Sequence, residues 1–270
     1  MARGLLSTST VQHSSIVNPG EVAGILVGSS AALRELREDL ELASRTSARV
    51  LIAGEYGVGK KRLAELIHRQ SLRGHAPFVS LRCVDLDADL EPRLFRRHNP
   101  TSALQRAEGG TVFFEGVDSL SRGAQAHLKQ FVATGRLQSG GTRKDRRRTN
   151  IRVVSSTTIP LMQKLATGRF CQELYYQLNT IYLPLRPLRE RPEDIEPLLE
   201  YFVAYYARRT GVAVPRLSLD SRATCRAHHW PGNMRQLQTA ASLFVTRSAP
   251  HDALEVLETA DRLCRQYSHA

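Results

Sequence analysis

The sequence predicts a doubly wound α/β domain built around a parallel sheet, followed by a small all-helical domain. Three observations predict this fold class. Short apolar segments alternate with amphipathic segments over the first two thirds of the chain, which is the pattern of βα units. A glycine-rich segment lies between one apolar segment and the amphipathic segment after it. A proline-rich stretch at 184–194 then precedes helical patterns with no strand among them.

The individual elements follow from local patterns. Leu33, Leu36 and Leu40 recur at near-helical spacing, which predicts an amphipathic helix over 31–43. The segment 48–53 is short, apolar and rich in β-branched residues, as is typical of a buried parallel strand. By the same criteria, further strands are predicted at 77–81, 110–114 and 151–155, and helices at 62–70, 120–134, 195–209, 220–229, 233–247 and 253–265.

These elements divide the chain into four predicted parts. Residues 1–22 are rich in Ser, Gly and Thr without periodicity, so we expect a flexible leader there. An α/β core is expected at 23–186 and a helical domain at 187–250. Residues 251–270 are expected to form a C-terminal helix or tail.

The net charge favours an anionic partner without identifying one. The chain has 38 Lys and Arg against 26 Asp and Glu, a formal charge of +12, so nucleotide, nucleic acid or an acidic protein face are candidates. A solvated cationic surface explains the same excess equally well. The densest run, five Lys or Arg within 143–148, is either a solvated loop or a loop that contacts phosphates or a partner.

Several classes of protein are excluded by what the sequence contains. There is no apolar run of about 18 residues, which argues against a membrane span, and the N-terminus has no sustained apolar segment of a secretory signal. The four cysteines lie far apart without CxxC spacing, so they are expected to be reduced thiols rather than disulfides or zinc ligands. We therefore expect a cytoplasmic protein.

The segment 54–60 has the Gly-x-x-x-x-Gly-Lys spacing of a phosphate-binding loop. It follows a predicted strand and opens a predicted helix, which is the context that makes the pattern informative. Glycines allow successive backbone N–H groups to turn towards phosphate oxygens, and the helix N-terminus adds partial positive charge. Lys60 can then reach the outer phosphates. A tight strand-to-helix turn that merely requires glycine is the alternative explanation.

Lys61 departs from the usual pattern of this loop. A Ser or Thr at this position ordinarily contributes a hydroxyl to Mg²⁺. The ammonium group of Lys61 cannot coordinate a metal ion. The loop therefore predicts nucleotide binding, and Lys61 places the binding of Mg²⁺ in doubt.

Four segments, in this order and spacing, resemble the central AAA+ domain of bacterial enhancer-binding proteins, which activate sigma-54-dependent transcription. The resemblance extends over roughly 24–247. It implies a Rossmann-like P-loop AAA+ core with a helical lid, ring assembly, and ATP bound between subunits. The four segments are GEYGVGKK (54–61), AEGGTVFFEG (107–116), GRFCQELYYQLNTIYLPLRPLRERPEDI (168–195) and WPGNMRQL (230–237).

The resemblance assigns nucleotide-binding residues in three places. Val27 and Gly28 match the start of the domain, where the adenine is usually held. Arg235 matches the lid arginine that senses the γ-phosphate, although pairing with an acid on the lid surface is an alternative. The phosphate loop contributes Gly54, Glu55, Tyr56, Gly57, Val58, Gly59, Lys60 and Lys61.

The residues for hydrolysis depart from the family pattern. Two adjacent acids should follow the third strand, the first for Mg²⁺ and the second to polarise the attacking water; here they are Glu115 and Gly116. Glu115 can still reach a metal, whereas Gly116 has no acid, and loss of a general base lowers a rate about 10²–10⁴-fold. Asp118 would need a rearranged backbone to replace it. Within 155–158, hydroxyl residues replace the polar residue, usually Asn, that ends the fourth strand.

The two positions that match the family's arginine fingers hold Cys171 and Gln177, both neutral. A finger is worth about 10³–10⁵ in kcat. Arg169 is a candidate for a displaced finger. The sequence therefore favours nucleotide binding over turnover.

The sequence also departs from the family in the parts with which family members contact sigma-54 and DNA. The loop bearing Gly-Ala-Phe-Thr-Gly-Ala, which touches sigma, is replaced by the short segment 96–103. We also expect neither a helix-turn-helix pair after the lid nor a receiver domain before residue 24. Direct contact with sigma-54 and sequence-specific DNA binding are therefore not expected.

Three functional hypotheses remain open from the sequence. The first is an ATP-binding transcriptional regulator, weak or inactive as an ATPase, which acts with other AAA+ subunits or another regulator. The second is a protein-interaction module in which nucleotide has no role. The third is a basic nucleic-acid-binding protein that uses the run at 143–148.

Overall fold

A computed structural model describes residues 24–86, 102–137, 148–246 and 253–268. The chain divides into two compact units. The first, called the sheet unit, contains Leu40–Ala53 and Ala64–Leu183; the second, called the helical unit, contains Asn18–Asp39, Gly54–Leu63 and Pro184–Ala270, as far as these are described. The predicted leader and most of the basic run lie outside the described residues.

A five-stranded sheet forms the centre of the sheet unit, in the order β2-β3-β4-β1-β5. The neighbours β2 and β3, β3 and β4, and β4 and β1 pair in parallel. This confirms the predicted α/β class with a parallel sheet. The strands are β1 (Val50–Ala53), β2 (Phe78–Arg82), β3 (Thr111–Glu115), β4 (Arg152–Thr157) and β5 (Ile181–Pro184).

The central strands are buried, which explains their continuous apolar sequences. All four residues of β1 are buried, and so are all six of β4. The hydroxyl of Ser155 in β4 donates to the carbonyl oxygen of Val50 at 3.2 Å, so this buried polar group is satisfied within the sheet. Phe113 and Phe114 of β3 are fully buried and extend the core.

Helices cover the sheet as the alternation of patterns predicted. The helix over 120–134 begins at Arg122 because the Ser121 side chain accepts a hydrogen bond from the Ala124 N–H. It ends at Gly135, whose φ of +64° is left-handed. The helices up to residue 178 are α1 (Ala31–Arg45), α2 (Lys60–Arg69), α3 (Ala103–Arg106), α4 (Arg122–Thr134), α5 (Leu161–Ala166) and α6 (Gln172–Leu178).

The described residues contain four helices and strands that local sequence patterns did not predict, namely α3, α5, α6 and β5. Each has four to seven residues, which is too short for a clear helical or strand period. β5 also ends at Pro184, the first proline of the predicted linker. Its place in the sheet is fixed by pairing beside β1, where the Ile181 N–H donates to the Arg49 carbonyl at 3.1 Å.

The helical unit has its own core, as expected for a small helical domain. Trp230 is fully buried, and its indole N–H donates to the Cys225 carbonyl at 2.9 Å. Among the described residues, no helix has the length and apolar character that crossing a bilayer requires. The helices are α7 (Ile195–Thr210), α8 (Leu219–Ala227), α9 (Asn233–Thr246) and α10 (Ala253–Ser268).

His68 is buried as a neutral imidazole in the sheet unit. Only 4% of the residue is exposed, and its Nε2 lies 3.1 Å from the carbonyl oxygen of Ala76. Because a carbonyl can only accept, Nε2 carries the proton, and Nδ1 accepts from the Thr111 hydroxyl at 2.9 Å. Burial lowers the pKa of His68, outweighing the opposite effect of the bond to Ala76, and the charges of Arg152 and Arg69 lower it further.

We therefore expect acid to destabilise the protein through His68. The unfolded state takes up the proton near pH 6.5, whereas the folded state does so only at lower pH, so the free energy of unfolding falls as the pH drops below 6.5. Chemical denaturation of the wild type and of His68→Gln at pH 7.5 and 5.5 measures this contribution. The wild type should lose more stability than the variant; equal losses would contradict the assignment.

Candidate nucleotide-binding site

The predicted phosphate loop lies between the end of β1 at Ala53 and the start of α2 at Lys60, which is the expected strand–loop–helix context. Gly57 has a left-handed φ of +78°. A Cβ at this position would lie 2.2 Å from the Gly232 carbonyl oxygen. Glycine is thus required at 57 both by the backbone conformation and by the close approach of the residue before α9.

The side chain of Lys60 folds back over the loop. Its ammonium donates to the carbonyl oxygens of Gly54 at 2.7 Å and Glu55 at 2.8 Å. Phosphate oxygens are stronger acceptors for this ammonium than neutral carbonyls, since both partners are then charged. Lys60 is therefore placed at the loop where the sequence predicted it.

Arg189 and Glu55 form a two-pronged ion pair beside the loop. Nη1 of Arg189 donates to Oε2 of Glu55 at 2.7 Å, and Nη2 donates to Oε1 at 2.5 Å. The hydrogen bond from Arg189 lowers the pKa of Glu55, outweighing the effect of partial burial, and the same bond raises the pKa of Arg189. Both side chains are 41% exposed, so the pair fixes orientation more than it adds stability.

Asn233 connects the phosphate loop to the start of α9 and was not identified as a site residue from the sequence. Its Nδ2 donates to the Tyr56 carbonyl at 3.0 Å and to Oε2 of Glu55 at 3.2 Å. Its Oδ1 accepts from the Leu188 N–H at 2.9 Å. The residue is completely buried and has a left-handed φ of +50°, which Asn tolerates better than most residues.

Arg235, predicted as the lid arginine, also lies against the phosphate loop. Its backbone N–H donates to the Gly57 carbonyl at 3.2 Å. Its guanidinium donates to the Tyr56 hydroxyl at 2.5 Å and lies 5.6 Å from the centre of the Tyr56 ring. The helical unit thus brings together Glu55, Tyr56, Lys60 and Arg235, and their role in binding nucleotide stays a prediction.

The predicted adenine residues Val27 and Gly28 lie at the beginning of the helical unit, after a short 3-10 helix over Gly24–Leu26. The segment is held by Asp194, which is completely buried and which sequence reasoning missed. Asp194 Oδ1 accepts from the N–H groups of Ser29 at 2.8 Å and Ser30 at 2.9 Å. Asp194 lies just before α7, and no local sequence pattern there indicates that its side chain binds Ser29 and Ser30.

The sheet unit holds the predicted acid Glu115 at the end of β3. The next residue, Gly116, donates its N–H to the Ser156 hydroxyl at 3.2 Å and has a φ of +74°. The carboxylate of Asp118 accepts from the Thr158 N–H at 3.1 Å. Asp118, the next acid after Gly116, is therefore already hydrogen-bonded to the backbone that follows β4.

The two finger positions lie at opposite ends of α6 in the sheet unit. Gln125, which is buried, orders the first of them: its Oε1 accepts from the Cys171 N–H at 2.8 Å, and its Nε2 donates to the Arg169 carbonyl at 3.1 Å. Gln177 is half-buried, and its Oε1 has no hydrogen-bond partner among the described residues. Arg169 is exposed.

The residues present do not fit the Mg²⁺ arrangement that the resemblance implies. Lys61, at the start of α2, brings an ammonium to the position of the metal-binding hydroxyl. Within the described part of the chain, no group of three or more His, Cys, Asp or Glu side chains could hold a metal ion. Glu115, the one metal ligand that the sequence predicted, lies at the end of β3.

A parallel sheet of this strand order, a phosphate loop after β1 and a C-terminal helical unit define a P-loop AAA+ protein. The Sigma-54 interaction domain model matches residues 26–184, and the AAA+ ATPase lid domain model matches residues 189–261. The chain belongs to the Sigma-54 interaction domain family. The segment 96–103, where we expect the sigma-contacting loop to be missing, lies outside the described residues except for Ser102 and Ala103.

Similar proteins are transcription regulators. The nitric oxide reductase transcription regulator NorR2 of Cupriavidus necator is 33% identical over 96% of this chain and 51% of its own length. The DNA-binding transcriptional regulator NtrC of Rhizobium meliloti is 33% identical over 86% of this chain and 50% of its own length. The chain therefore spans about half the length of these relatives.

A solved structure supports the same fold. NtrX from Brucella abortus, crystallised in complex with ATP, is 31% identical to this chain with a TM-score of 0.76. The match covers 86% of this chain and 54% of NtrX. NtrX from the same organism was also crystallised in complex with ADP.

The hydrogen bonds of Asn233 predict its contribution to stability. Asn233→Ala removes the donor to Tyr56 and the acceptor for Leu188 in a buried place, so we expect the free energy of unfolding to fall by about 2–3 kcal/mol. Asn233→Gly is the matched control, because glycine lacks the same bonds but adopts the positive φ without strain, and it should lose about 1 kcal/mol less. Denaturant titration measures both, and a loss below about 0.5 kcal/mol for Asn233→Ala would refute this account.

Proposed function

We propose that this chain binds ATP at the phosphate loop and regulates transcription through protein partners, with weak or no ATPase activity. The observation that carries the proposal is the position of two cations on one loop. Lys60 lies over Gly54 and Glu55, and Arg235 lies against Tyr56 and Gly57. In this proposal Lys60 and Arg235 contact the outer phosphates, and Val27 and Gly28 lie beside the adenine.

Weak turnover is proposed from the groups available for chemistry. Hydrolysis needs a base to activate water and a cation to stabilise charge on the transferred phosphoryl group. Gly116 provides no base, Asp118 is engaged by Thr158, and the finger positions Cys171 and Gln177 carry no charge. Mg²⁺ has no part in the proposal, because Lys61 replaces the hydroxyl that would bind it.

The proposed partners are other AAA+ subunits, in a ring of one or two kinds of chain, or another transcription regulator. A neighbouring subunit with intact fingers would supply the charge that this chain lacks. Direct contact with sigma-54 and sequence-specific DNA binding form no part of the proposal. The proposed location is the cytoplasm, as for a protein that works with the transcription machinery.

Removal of the Lys60 charge tests ATP binding. We expect Lys60→Ala to weaken binding of a non-hydrolysable ATP analogue by about 10- to 100-fold, because a charge-assisted bond to phosphate is lost. Lys129→Ala, which removes the same charge from α4, should bind the analogue like the wild type.

Isothermal titration calorimetry gives both affinities. If Lys60→Ala and the wild type bound the analogue equally well, the proposal that the phosphate loop binds ATP would be contradicted. Loss of affinity with unchanged regulation in cells would favour the alternative, a protein-interaction module in which nucleotide has no role.

Restoring an acid at residue 116 tests the explanation of weak turnover. A Cβ at Gly116 would meet only the Ser119 hydroxyl, at 3.9 Å, and Asp and Asn tolerate the left-handed φ. We expect Gly116→Asp to raise the rate of phosphate release by about tenfold, since a carboxylate can polarise water. Gly116→Asn has nearly the same shape without the acid, so its rate should equal that of the wild type.

A steady-state assay of phosphate release, with and without a complete family member, measures these rates. A wild-type turnover near one per second would show that Gly116 does not limit hydrolysis. Equal rates for the Asp and Asn variants would also contradict the explanation.

A further inference from the structure

The hydroxyl of Tyr56 accepts a hydrogen bond from the guanidinium of Arg235, the predicted lid arginine. The bond from Arg235 Nη1 to this oxygen is 2.5 Å long, and the guanidinium lies 5.6 Å from the centre of the same ring. Tyr56 is 41% exposed, so neither contact is enforced by a closed core. A hydrogen bond and a cation–π contact therefore join the pair.

Two hydrogen bonds to backbone carbonyls of the phosphate loop position Arg235. Asn233 Nδ2 donates to the Tyr56 carbonyl at 3.0 Å, and the Arg235 N–H donates to the Gly57 carbonyl at 3.2 Å. These two bonds hold the start of α9, which carries Arg235, against the adjacent loop residues Tyr56 and Gly57. The guanidinium is therefore held beside the loop that the proposed function assigns to phosphate.

A terminal phosphate and the Tyr56 hydroxyl would compete for Arg235. The phenol is a neutral acceptor, whereas phosphate oxygens are charged acceptors that also accept two parallel bonds from a guanidinium. The bond to Tyr56 must break before Arg235 can turn all of its donors to phosphate. Part of the binding free energy of the terminal phosphate would then be used to release Arg235.

We propose that Tyr56 is a specificity-determining residue that holds Arg235 in the nucleotide-free protein and so lowers the preference for ATP over ADP. The inference rests on the proposed function, in which Arg235 contacts the terminal phosphate. ADP lacks that phosphate and leaves the Tyr56–Arg235 bond in place. ATP replaces the bond with one to its own phosphate.

Tyr56→Phe isolates the hydroxyl, because it keeps the ring and its contact with the guanidinium. We expect this variant to bind a non-hydrolysable ATP analogue about three- to tenfold more tightly than the wild type, the equivalent of losing one competing hydrogen bond. Its affinity for ADP should stay within about twofold of the wild type. The affinity ratio is a readout that a purely structural effect on the loop would not move.

Arg235→Ala provides the background that tests the mechanism. In that background Tyr56→Phe should change neither affinity, because the hydroxyl no longer has a guanidinium to hold. Calorimetric titration of the four proteins, namely wild type, both single variants and the double variant, completes the cycle.

The outcomes distinguish failure of this inference from failure of the proposed function. If Tyr56→Phe leaves the ratio unchanged or weakens ATP binding, Tyr56 does not compete for Arg235, and it instead has no role or holds Arg235 ready for phosphate. ATP binding that depends on Lys60 would still support the proposed function in that case. If the wild type binds neither nucleotide, both ideas are overturned together.

Discussion

The amide of Asn233 joins three segments of the helical unit, and the arrangement of the candidate site depends on it. One side of the amide donates to the phosphate loop at Tyr56 and Glu55, and the other accepts from Leu188, next to Arg189. A buried amide with all these partners has one favourable orientation, because any rotation leaves a donor or acceptor unpaired. Asn233 is the first residue of α9, so these bonds hold the start of the helix that carries Arg235 against the phosphate loop.

The groups proposed to bind phosphate match the family pattern, whereas the groups that would take part in hydrolysis depart from it. The phosphate loop, Lys60 and Arg235 have neighbours that place them together. The positions that would need an acid or a cation for ATP hydrolysis hold Gly116, Cys171 and Gln177 instead. Under the proposed function, bound nucleotide would stabilise the protein while turning over slowly, so the bound state itself would serve as the signal.

The fold was largely predictable because its longer elements have clear periods. The alternation of apolar and amphipathic segments predicted the sheet and most helices, and the glycine pattern predicted the turn from β1 to α2. Residues 161–184 were missed because α5, α6 and β5 are short and their burial arises from neighbours distant in sequence. Asp194 and Asn233 were missed as site residues because their partners lie far away along the chain, at Ser30 and Tyr56.

The sequence by itself determined the fold class, the glycine pattern of the phosphate loop and which residues occupy the acid and finger positions. These depend on residue identity and local spacing, which a linear pattern contains. Only the tertiary structure decided which groups Lys60 and Arg235 contact, that Arg189 pairs with Glu55, and that Asn233 and Asp194 hold the loop and the N-terminal segment. Hydrogen bonds between residues more than a hundred positions apart depend on the packing of helices, and no local pattern specifies that packing.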